Sequence, residues 1–334
     1  LAAIYGCALK PIEAVVLPEE SDGLAVSIDC PERCSRYAGL VIKGVRTVPS
    51  PFAIQSLLWR VGVRPIILPF DITNYVMLAT GQPTHGFDRT HISGVIHVRT
   101  ATEGERLELL DGALLDLTKE DLVIADEKSP VALAGIMGGK LDSILPETTD
   151  LILEVANFHP LSVRRTAQRF DLRTEASSRF EKGIDPQRVD EAVAIAVQMF
   201  KAEFPEAVVS GYVDNYPVPL ANSEVSVSLD FLRKRLGRTL SEEDVRATLG
   251  RLGFKVAVNE DKITAIAPSW RSTGDISLPD DILEEIARLM GYENFEFYAP
   301  TVKLEKAINQ RKPDMERAIR EYLAFRCNMQ EIFS

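Results

Sequence analysis

The chain has 334 residues, 46% hydrophobic and 26% charged, which is typical of a globular protein and long enough for two or more domains. Its net charge of −11 argues against a protein that coats nucleic acid non-specifically. No apolar run approaches the roughly 20 residues that cross a bilayer, and no signal peptide is evident, so we expect a cytoplasmic protein without a membrane partner. The four scattered cysteines predict free thiols rather than a zinc site.

From about residue 34 to 216 the pattern alternates between strands and helices. Ser50 and Pro51 predict the start of one helix, and Asp71 the start of another. Two later helices follow Pro160 and Pro186. Short β-branched runs predict strands at 95–98, 122–125, 131–136 and 151–155. This order predicts one large mixed domain of strands and helices.

A change in composition at 217–219 separates this domain from a smaller one. The smaller domain begins with a predicted strand, contains a capping-box pattern at Ser241 and Asp244, and ends with a helix before Gly291. We therefore predict an α+β, multi-domain chain in which a large α/β domain precedes a small α+β domain. The predicted segments are 1–28, 29–217, 218–300 and 301–334.

The most informative segment is the glycine corner, residues 133–139, together with Glu154 on the apolar strand that follows. Adjacent glycines let a ligand approach the backbone closely. A carboxylate in an apolar strand costs free energy unless another group pairs with it. The combination predicts a pocket for a small polar group on a mostly apolar ligand. The alternative is a β-bulge beside a solvent-facing Glu on a half-exposed strand, and this segment by itself favours that interpretation.

Two further patterns each allow a structural and a functional interpretation. His85 lies in a turn after a helix, where it could act as an acid, a base or a donor, or merely satisfy the turn. Residues 161–188 contain seven Lys or Arg and four acids, which suits phosphate contacts or a solvated helix face.

A cluster of acids lies near the end of the small domain. Asp281, Glu284 and Glu285 share one face if the helix begins near residue 280, and Asp275 could fold back toward them. Such oxygens suit magnesium. Acids in a first helical turn also complement the helix dipole, and the spacing by itself favours that interpretation. No Walker-type loop, GxGxxG, HExxH or GxSxG motif is present.

In the same order along the chain, ten short motifs resemble the beta subunit of bacterial phenylalanyl-tRNA synthetase. They are DITNYV (71–76), GQPTHGFD (81–88), LLDG (109–112), LVIAD (122–126), AGIMGG (134–139), ETT (147–149), RTEAS (173–177), RFEKG (179–183), PSWR (268–271) and EEIAR (284–288). The resemblance spans nearly the whole chain. It implies that 1–28 connects to a preceding module and that 301–334 begins a truncated, catalytic-like domain.

The resemblance also implies that 29–217 is a B3/B4-type editing domain, which hydrolyses tyrosine wrongly esterified to the phenylalanine tRNA, and that 218–300 is a B5-type domain. Residue by residue, the family's editing pocket falls on Arg64, Asn74, His85, Gly138, Glu154, Thr174 and Ala176. Of these, His85, Asn74 and Glu154 are expected to act in hydrolysis, and the others, with Glu154, to bind the substrate.

The same resemblance implies magnesium ligands, shared with the alpha subunit, at Asp275, Asp281, Glu284 and Glu285. It favours the metal over the dipole interpretation of the acidic cluster. The implied partners are the alpha subunit, in an alpha2beta2 tetramer, and tRNA(Phe). ATP is used by the whole enzyme and is not expected to bind this portion. The alternatives are a non-catalytic scaffold that binds tRNA and a free-standing aminoacyl-tRNA deacylase.

This sequence departs from the family pattern at three places. The apolar stretch 67–70 follows Arg64, Lys140 stands where an acid commonly follows the two glycines, and 272–274 lengthens the approach to Asp275. The mechanism that fits the remaining residues has the Glu154 carboxylate accept a hydrogen bond from the tyrosine hydroxyl. Water, oriented by His85 and Asn74, would then attack the ester without a covalent intermediate.

Overall fold

A computed structural model describes residues 1–140, 143–259, 261–296, 299, 301–303 and 310–333. The chain divides into two compact units, Leu1–Met290 and Gly291–Ser334. Within the described ranges, no helix is both long and apolar enough to span a membrane. The predicted mixed α+β, multi-domain class is confirmed. The predicted division into four segments stays a prediction.

The first unit contains nine helices and fourteen strands among its described residues. The helices are α1 (Ala2–Tyr5), α2 (Phe52–Arg60), α3 (Leu68–Thr80), α4 (Pro160–Arg169), α5 (Glu175–Phe180), α6 (Arg188–Glu203), α7 (Leu229–Leu236), α8 (Glu242–Arg251) and α9 (Pro279–Met290). The strands are β1 (Ala25–Ile28), β2 (Cys34–Lys43), β3 (His85–Asp88), β4 (Val95–Thr100), β5 (Arg106–Glu108), β6 (Leu114–Asp116), β7 (Leu122–Ala125), β8 (Pro130–Leu133), β9 (Met137–Gly138), β10 (Asp150–Phe158), β11 (Val208–Asn215), β12 (Glu224–Ser228), β13 (Lys255–Asn259) and β14 (Lys262–Ile266).

A four-stranded antiparallel sheet in the order β11-β2-β10-β3 separates two hydrophobic cores. Side chains alternate along β10, as the strand period of two requires. Ile152 and Ala156 face one core, and Leu153 and Val155 face the other. Because Glu154 lies between Ile152 and Ala156 in this alternation, its carboxyl group is directed into the first core.

The first core is closed by a five-stranded sheet in the order β1-β4-β7-β8-β9. A tight turn joins β8 to β9, and the Ile136 amide donates to the Leu133 carbonyl at 3.0 Å. Gly135 occupies this turn with a φ of +70°, which favours glycine. The two strands pair without a register shift. The alternative of a β-bulge beside a solvent-facing Glu is therefore wrong.

The second core packs α2, α3 and α6 on the opposite face of the four-stranded sheet. Arg36 of β2 ties this region together, because its guanidinium lies 2.6 Å from Asp190 of α6 and 2.6 Å from Asp214 of β11. It also donates to the Pro186 carbonyl at 3.0 Å. These contacts raise the pKa of Arg36 despite its burial, so its charge is permanent.

The remainder of the first unit packs α7, α8 and α9 on a three-stranded antiparallel sheet in the order β12-β14-β13. The predicted capping box is confirmed: Ser241 accepts from the Asp244 amide at 3.1 Å, and the Asp244 carboxylate accepts from the Ser241 amide at 3.0 Å. In the second unit, the helix α10 (Arg311–Phe325) has no buried residue among those described.

Candidate active site

The strand register places His85 and Glu154 directly opposite each other on β3 and β10. Side chains of such antiparallel partners lie on the same face, with their Cβ atoms roughly 5 Å apart. On its other side Glu154 faces Gly39 of β2, where a Cβ atom would lie 2.8 Å from Leu24. The sheet therefore leaves His85 as the side chain that directly opposes Glu154.

Both groups sit in apolar surroundings that oppose charge. Glu154 is only 6% exposed, and burial raises its pKa to about 8. Burial lowers the pKa of His85 to about 4, and its ring packs edge-on to Phe87 at 4.6 Å between centroids. At neutral pH the site thus holds a neutral imidazole and a mostly protonated carboxyl group. The sequence-based expectation was a charged Glu154 carboxylate. The structure instead favours the protonated form, because burial in the core removes the solvation of that charge.

Unsatisfied polar atoms gather around the middle of β10. Among the described residues, four buried side-chain atoms lack a hydrogen-bond partner: Tyr37 Oη, Gln82 Oε1, His85 Nε2 and Glu154 Oε2. Tyr37 is the cross-strand partner of Ala156, and the Gln82 amide donates to the Ala156 carbonyl at 2.7 Å. Because buried polar groups are usually paired, this concentration indicates a site built to receive a polar group.

A cavity of about 70 Å³ lies beside these atoms. Its lining includes His85, Gly135, Ile136, Met137, Gly138, Glu154, Ala176 and Phe180. A benzene ring fits a dry cavity of about 150 Å³. A complete aromatic side chain therefore requires the lining to open, and the half-buried Met137 is the most adaptable lining side chain.

The glycines of the corner are required by close packing within the protein. A Cβ atom on Gly138 would lie 2.5 Å from both Cε1 and Nε2 of His85. One on Gly139 would lie 2.5 Å from the Val131 carbonyl oxygen. The backbone of β9 therefore lies directly against the imidazole, and Gly138 fixes where that ring can sit.

Thr174 and Ala176 form the wall of the cavity in different ways. Thr174 caps α5: its hydroxyl accepts from the Ser177 amide at 3.0 Å and donates to the Ile136 carbonyl at 2.9 Å. It thereby joins α5 to the β8–β9 turn. Ala176, in the first turn of α5, lines the cavity directly. Thr174 thus positions the wall, whereas Ala176 is part of it.

Arg64 and Asn74 do not line this cavity. Arg64 is exposed in the connection between α2 and α3, and Asn74 is half-buried on α3. Their predicted roles stay predictions. Sequence reasoning missed Tyr37 and Gln82, although a tyrosine at the start of the apolar run 37–42 and a glutamine beside the His85 turn were visible signals.

The acids of the small domain are largely occupied by arginines. Glu285 is 2% exposed, lies 2.7 Å from the Arg271 guanidinium and also pairs with Arg288. Asp275 pairs with Arg271 as well. The half-buried Arg271 and the exposed Arg288 offset the carboxylate charge that a cation would need.

The other two acids, Asp281 and Glu284, have different surroundings. The Asp281 carboxylate, in the first turn of α9, accepts from the preceding Ser277 and Leu278 amides at 2.8 and 2.7 Å, which lowers its pKa. Glu284 is exposed. In the part of the chain that the structure describes, no three His, Cys, Asp or Glu side chains are grouped to hold a metal ion. These four residues, as arranged, do not fit a magnesium ion by themselves.

Comparison with known proteins identifies the class first. Residues 33–204 match the model of the B3/4 domain, and residues 225–292 match that of the tRNA synthetase B5 domain. The chain therefore belongs to the B3/4 domain family. Its succession of a B3/4 and a B5 domain confirms the resemblance to the beta subunits of phenylalanine–tRNA ligase.

Individual relatives agree with that assignment. The chain is 42% identical over 299 residues to the phenylalanine–tRNA ligase beta subunit of Carboxydothermus hydrogenoformans, which covers 88% of this chain and 37% of the relative. It is 38% identical over 306 residues to that of Halalkalibacterium halodurans, covering 91% and 38%. The chain thus spans less than two-fifths of the length of these relatives. An N-terminal fragment of the phenylalanyl-tRNA synthetase beta subunit from Pyrococcus horikoshii aligns loosely, at 15% identity and a TM-score of 0.40 over 84% of this chain and 78% of that one.

Proposed function

We propose that this chain is a portion of a phenylalanine–tRNA ligase beta subunit, and that its B3/4 domain hydrolyses tyrosine wrongly esterified to tRNA(Phe). The observation that carries the proposal is the pair of His85 and Glu154, opposed on adjacent strands with unpartnered atoms at one cavity. The names of the relatives support the assignment to a ligase, and the chemistry of the His85–Glu154 pair supports the editing step.

The pair can separate two amino acids that differ by one hydroxyl. An apolar synthetic pocket rejects an added hydroxyl poorly, whereas a site built to bond that hydroxyl rejects the analogue without it. Tyrosine would pair with Glu154, and phenylalanine would leave it buried without a partner. That loss costs about 1–3 kcal/mol, or roughly 5- to 150-fold in rate. A protonated Glu154 serves this purpose because it can accept from the phenol or donate to its oxygen.

Hydrolysis in this site is best explained by positioned water. Neutral His85 has a free Nε2 that can accept a proton from water as it attacks the ester carbon. The nearby Cys34 is a poor nucleophile because burial raises its pKa well above the ordinary value. We therefore propose general-base assistance from His85, with Asn74 retained as a predicted orienting residue.

The wider assignments are proposals drawn from the relatives. They are an alpha-subunit partner in an alpha2beta2 tetramer, tRNA(Phe) as the RNA substrate, ATP use by the complete enzyme and a cytoplasmic location. Magnesium binding by Asp275, Asp281, Glu284 and Glu285 remains a prediction that requires ligands or rearrangement from outside this chain. No step of the proposed hydrolysis depends on it.

The test compares deacylation of Tyr-tRNA(Phe) and Phe-tRNA(Phe) by the chain and its variants. Glu154→Ala should remove the preference for the tyrosyl ester, and Glu154→Gln should retain part of it through the amide. Glu147→Gln, which changes an exposed acid of the same domain, is the control. Undiminished preference in Glu154→Ala would refute the role of this side chain. Activity that appears only after addition of the alpha subunit would argue against a free-standing deacylase, and no activity in either case would favour the scaffold.

A further inference from the structure

A long groove follows the side of α5 that faces away from the cavity. One section, of about 480 Å³, is lined by Arg164, Arg173 and Lys182 among others, and a second section, of about 520 Å³, by Lys182, Arg188 and Trp270 among others. Lys182 lines both sections, so we treat them together as the α5 groove. The helix α5 thus contributes one face to the cavity and another to this groove.

Several cations of the α5 groove are not neutralised by the protein. Arg164, Arg173 and Lys182 are exposed and form no ion pair with any residue that the structure describes. Their availability is notable in a chain whose net charge is −11. By contrast, Arg169 of the neighbouring α4 pairs with the fully buried Asp121 and serves the fold.

The remaining cations of the groove are held weakly. Arg179 pairs with Glu175, whose side chain is 67% exposed, and Arg188 lies 3.3 Å from Glu191. Exposed pairs of this kind contribute about 0–1 kcal/mol, so a phosphate group can replace the glutamate. Three acids, Asp171, Glu181 and Asp185, also line the groove, so its five cations leave a net positive charge that suits a polyanion.

Trp270 adds a rigid aromatic surface to the α5 groove. It lies in the B5 domain and is 48% exposed. A Cβ atom on Gly253, where φ is +86°, would lie 3.2 Å from Trp270 Cζ2. One edge of the indole is thus packed against backbone while much of the ring stays accessible. Positive charge beside an accessible aromatic ring is the combination that binds single-stranded nucleic acid.

We propose that the single-stranded 3′ end of the aminoacylated RNA lies in the α5 groove, with phosphates on Arg173 and Lys182 and a base stacked on Trp270. This inference rests on the proposed function, which requires an RNA-borne ester at the cavity. A helix with its side chains is about 10–12 Å across. The terminal nucleotide can therefore reach around α5 to the cavity while the preceding nucleotides occupy the groove.

The decisive experiment compares a substrate with phosphates and one without. The variants are Arg173→Ala, Lys182→Ala and Trp270→Ala, with Trp270→Phe as a conservative replacement that keeps an aromatic face. Lys201→Ala and Trp59→Ala are matched controls, because both residues are exposed and lie outside the groove. Each protein is assayed on Tyr-tRNA(Phe) and on tyrosyl-adenosine, which has the ester but no phosphate.

We expect Trp270→Ala to raise KM for the tRNA about 5- to 150-fold, the range of one base–aromatic stack, and Trp270→Phe to restore part of it. Arg173→Ala and Lys182→Ala should each reduce the slope of log KM against log salt concentration by about 0.7. Hydrolysis of tyrosyl-adenosine should be unchanged in all three. An unchanged KM and salt slope for the tRNA would overturn the proposed path.

A second experiment separates failure of the proposed hydrolysis from failure of the proposed RNA path. If the unmodified chain hydrolyses neither ester, the groove is tested by fluorescence anisotropy with a labelled RNA oligonucleotide that ends in CCA. Weaker binding by the Lys182→Ala and Trp270→Ala variants, but not by the two controls, supports the groove independently of hydrolysis. Equal binding by all proteins refutes it.

Discussion

Replacement of Glu154 by Gln should change how the stability of the chain depends on pH. Glutamine keeps the shape of the side chain and removes its titration. The pKa of Glu154 is raised by burial from 4.5 to about 8. The folded protein therefore holds this proton more tightly than the unfolded chain does. The stability associated with the protonated group is complete below pH 4.5 and is lost as the pH rises toward 8.

The magnitude follows from the same rise in pKa. At 1.36 kcal/mol per pKa unit, the unmodified protein loses about 5 kcal/mol of unfolding free energy between pH 4.5 and 8 that Glu154→Gln does not lose. The titration of His85 acts in the opposite direction below pH 6.5, because burial lowers its pKa to about 4. Because both proteins contain His85, its contribution cancels when the unfolding free energy of Glu154→Gln is compared with that of the unmodified protein.

Urea unfolding at closely spaced pH values between 4.5 and 9 measures this difference. The signal should report on the B3/4 domain, because the chain has more than one domain; the fluorescence of Trp59 on α2 does so when Trp270 of the B5 domain is replaced by Phe in every protein compared. Glu147→Gln controls for the loss of one acid at an exposed position in the same domain. A difference between Glu154→Gln and the unmodified protein that stays constant from pH 5 to 8 would refute the neutral-acid interpretation of the site.

Three further predictions concern the same fold. Gly138→Ala should reduce deacylation at least tenfold by displacing His85, whereas Gly250→Ala, where a Cβ meets no atom within 4 Å, should not change it. If His85 is the base, the deacylation rate should hold from pH 7 to 5 and fall only near pH 4, and a midpoint near 6.5 would contradict this. Arg36→Ala should lower the unfolding free energy by about 2–3 kcal/mol in urea titrations. The loss is smaller than for a fully buried ion pair because the Asp190 side chain is 63% exposed. A loss below about 0.5 kcal/mol would show that the ion pairs of Arg36 contribute little to stability.

The sequence by itself indicated the approximate positions of four helices and four strands of the large domain, because apolar periodicity and proline positions act over a few neighbouring residues. The capping box at Ser241 and the helix after Pro160 needed no tertiary information. The ordered motifs also sufficed for the family. The same local patterns could not decide whether Glu154 faced solvent, since alternation along a strand has two possible phases.

Only the tertiary structure decided what the candidate residues do. Pairing of β3 with β10 placed His85 opposite Glu154, and burial between two sheets made both groups neutral. Contacts outside the local stretch joined Thr174 to the Ile136 carbonyl and placed Arg271 on the buried Glu285. Register, burial and ion pairing depend on which segments meet in space. The chemistry of a side chain is therefore fixed by neighbours that its own stretch of sequence does not specify.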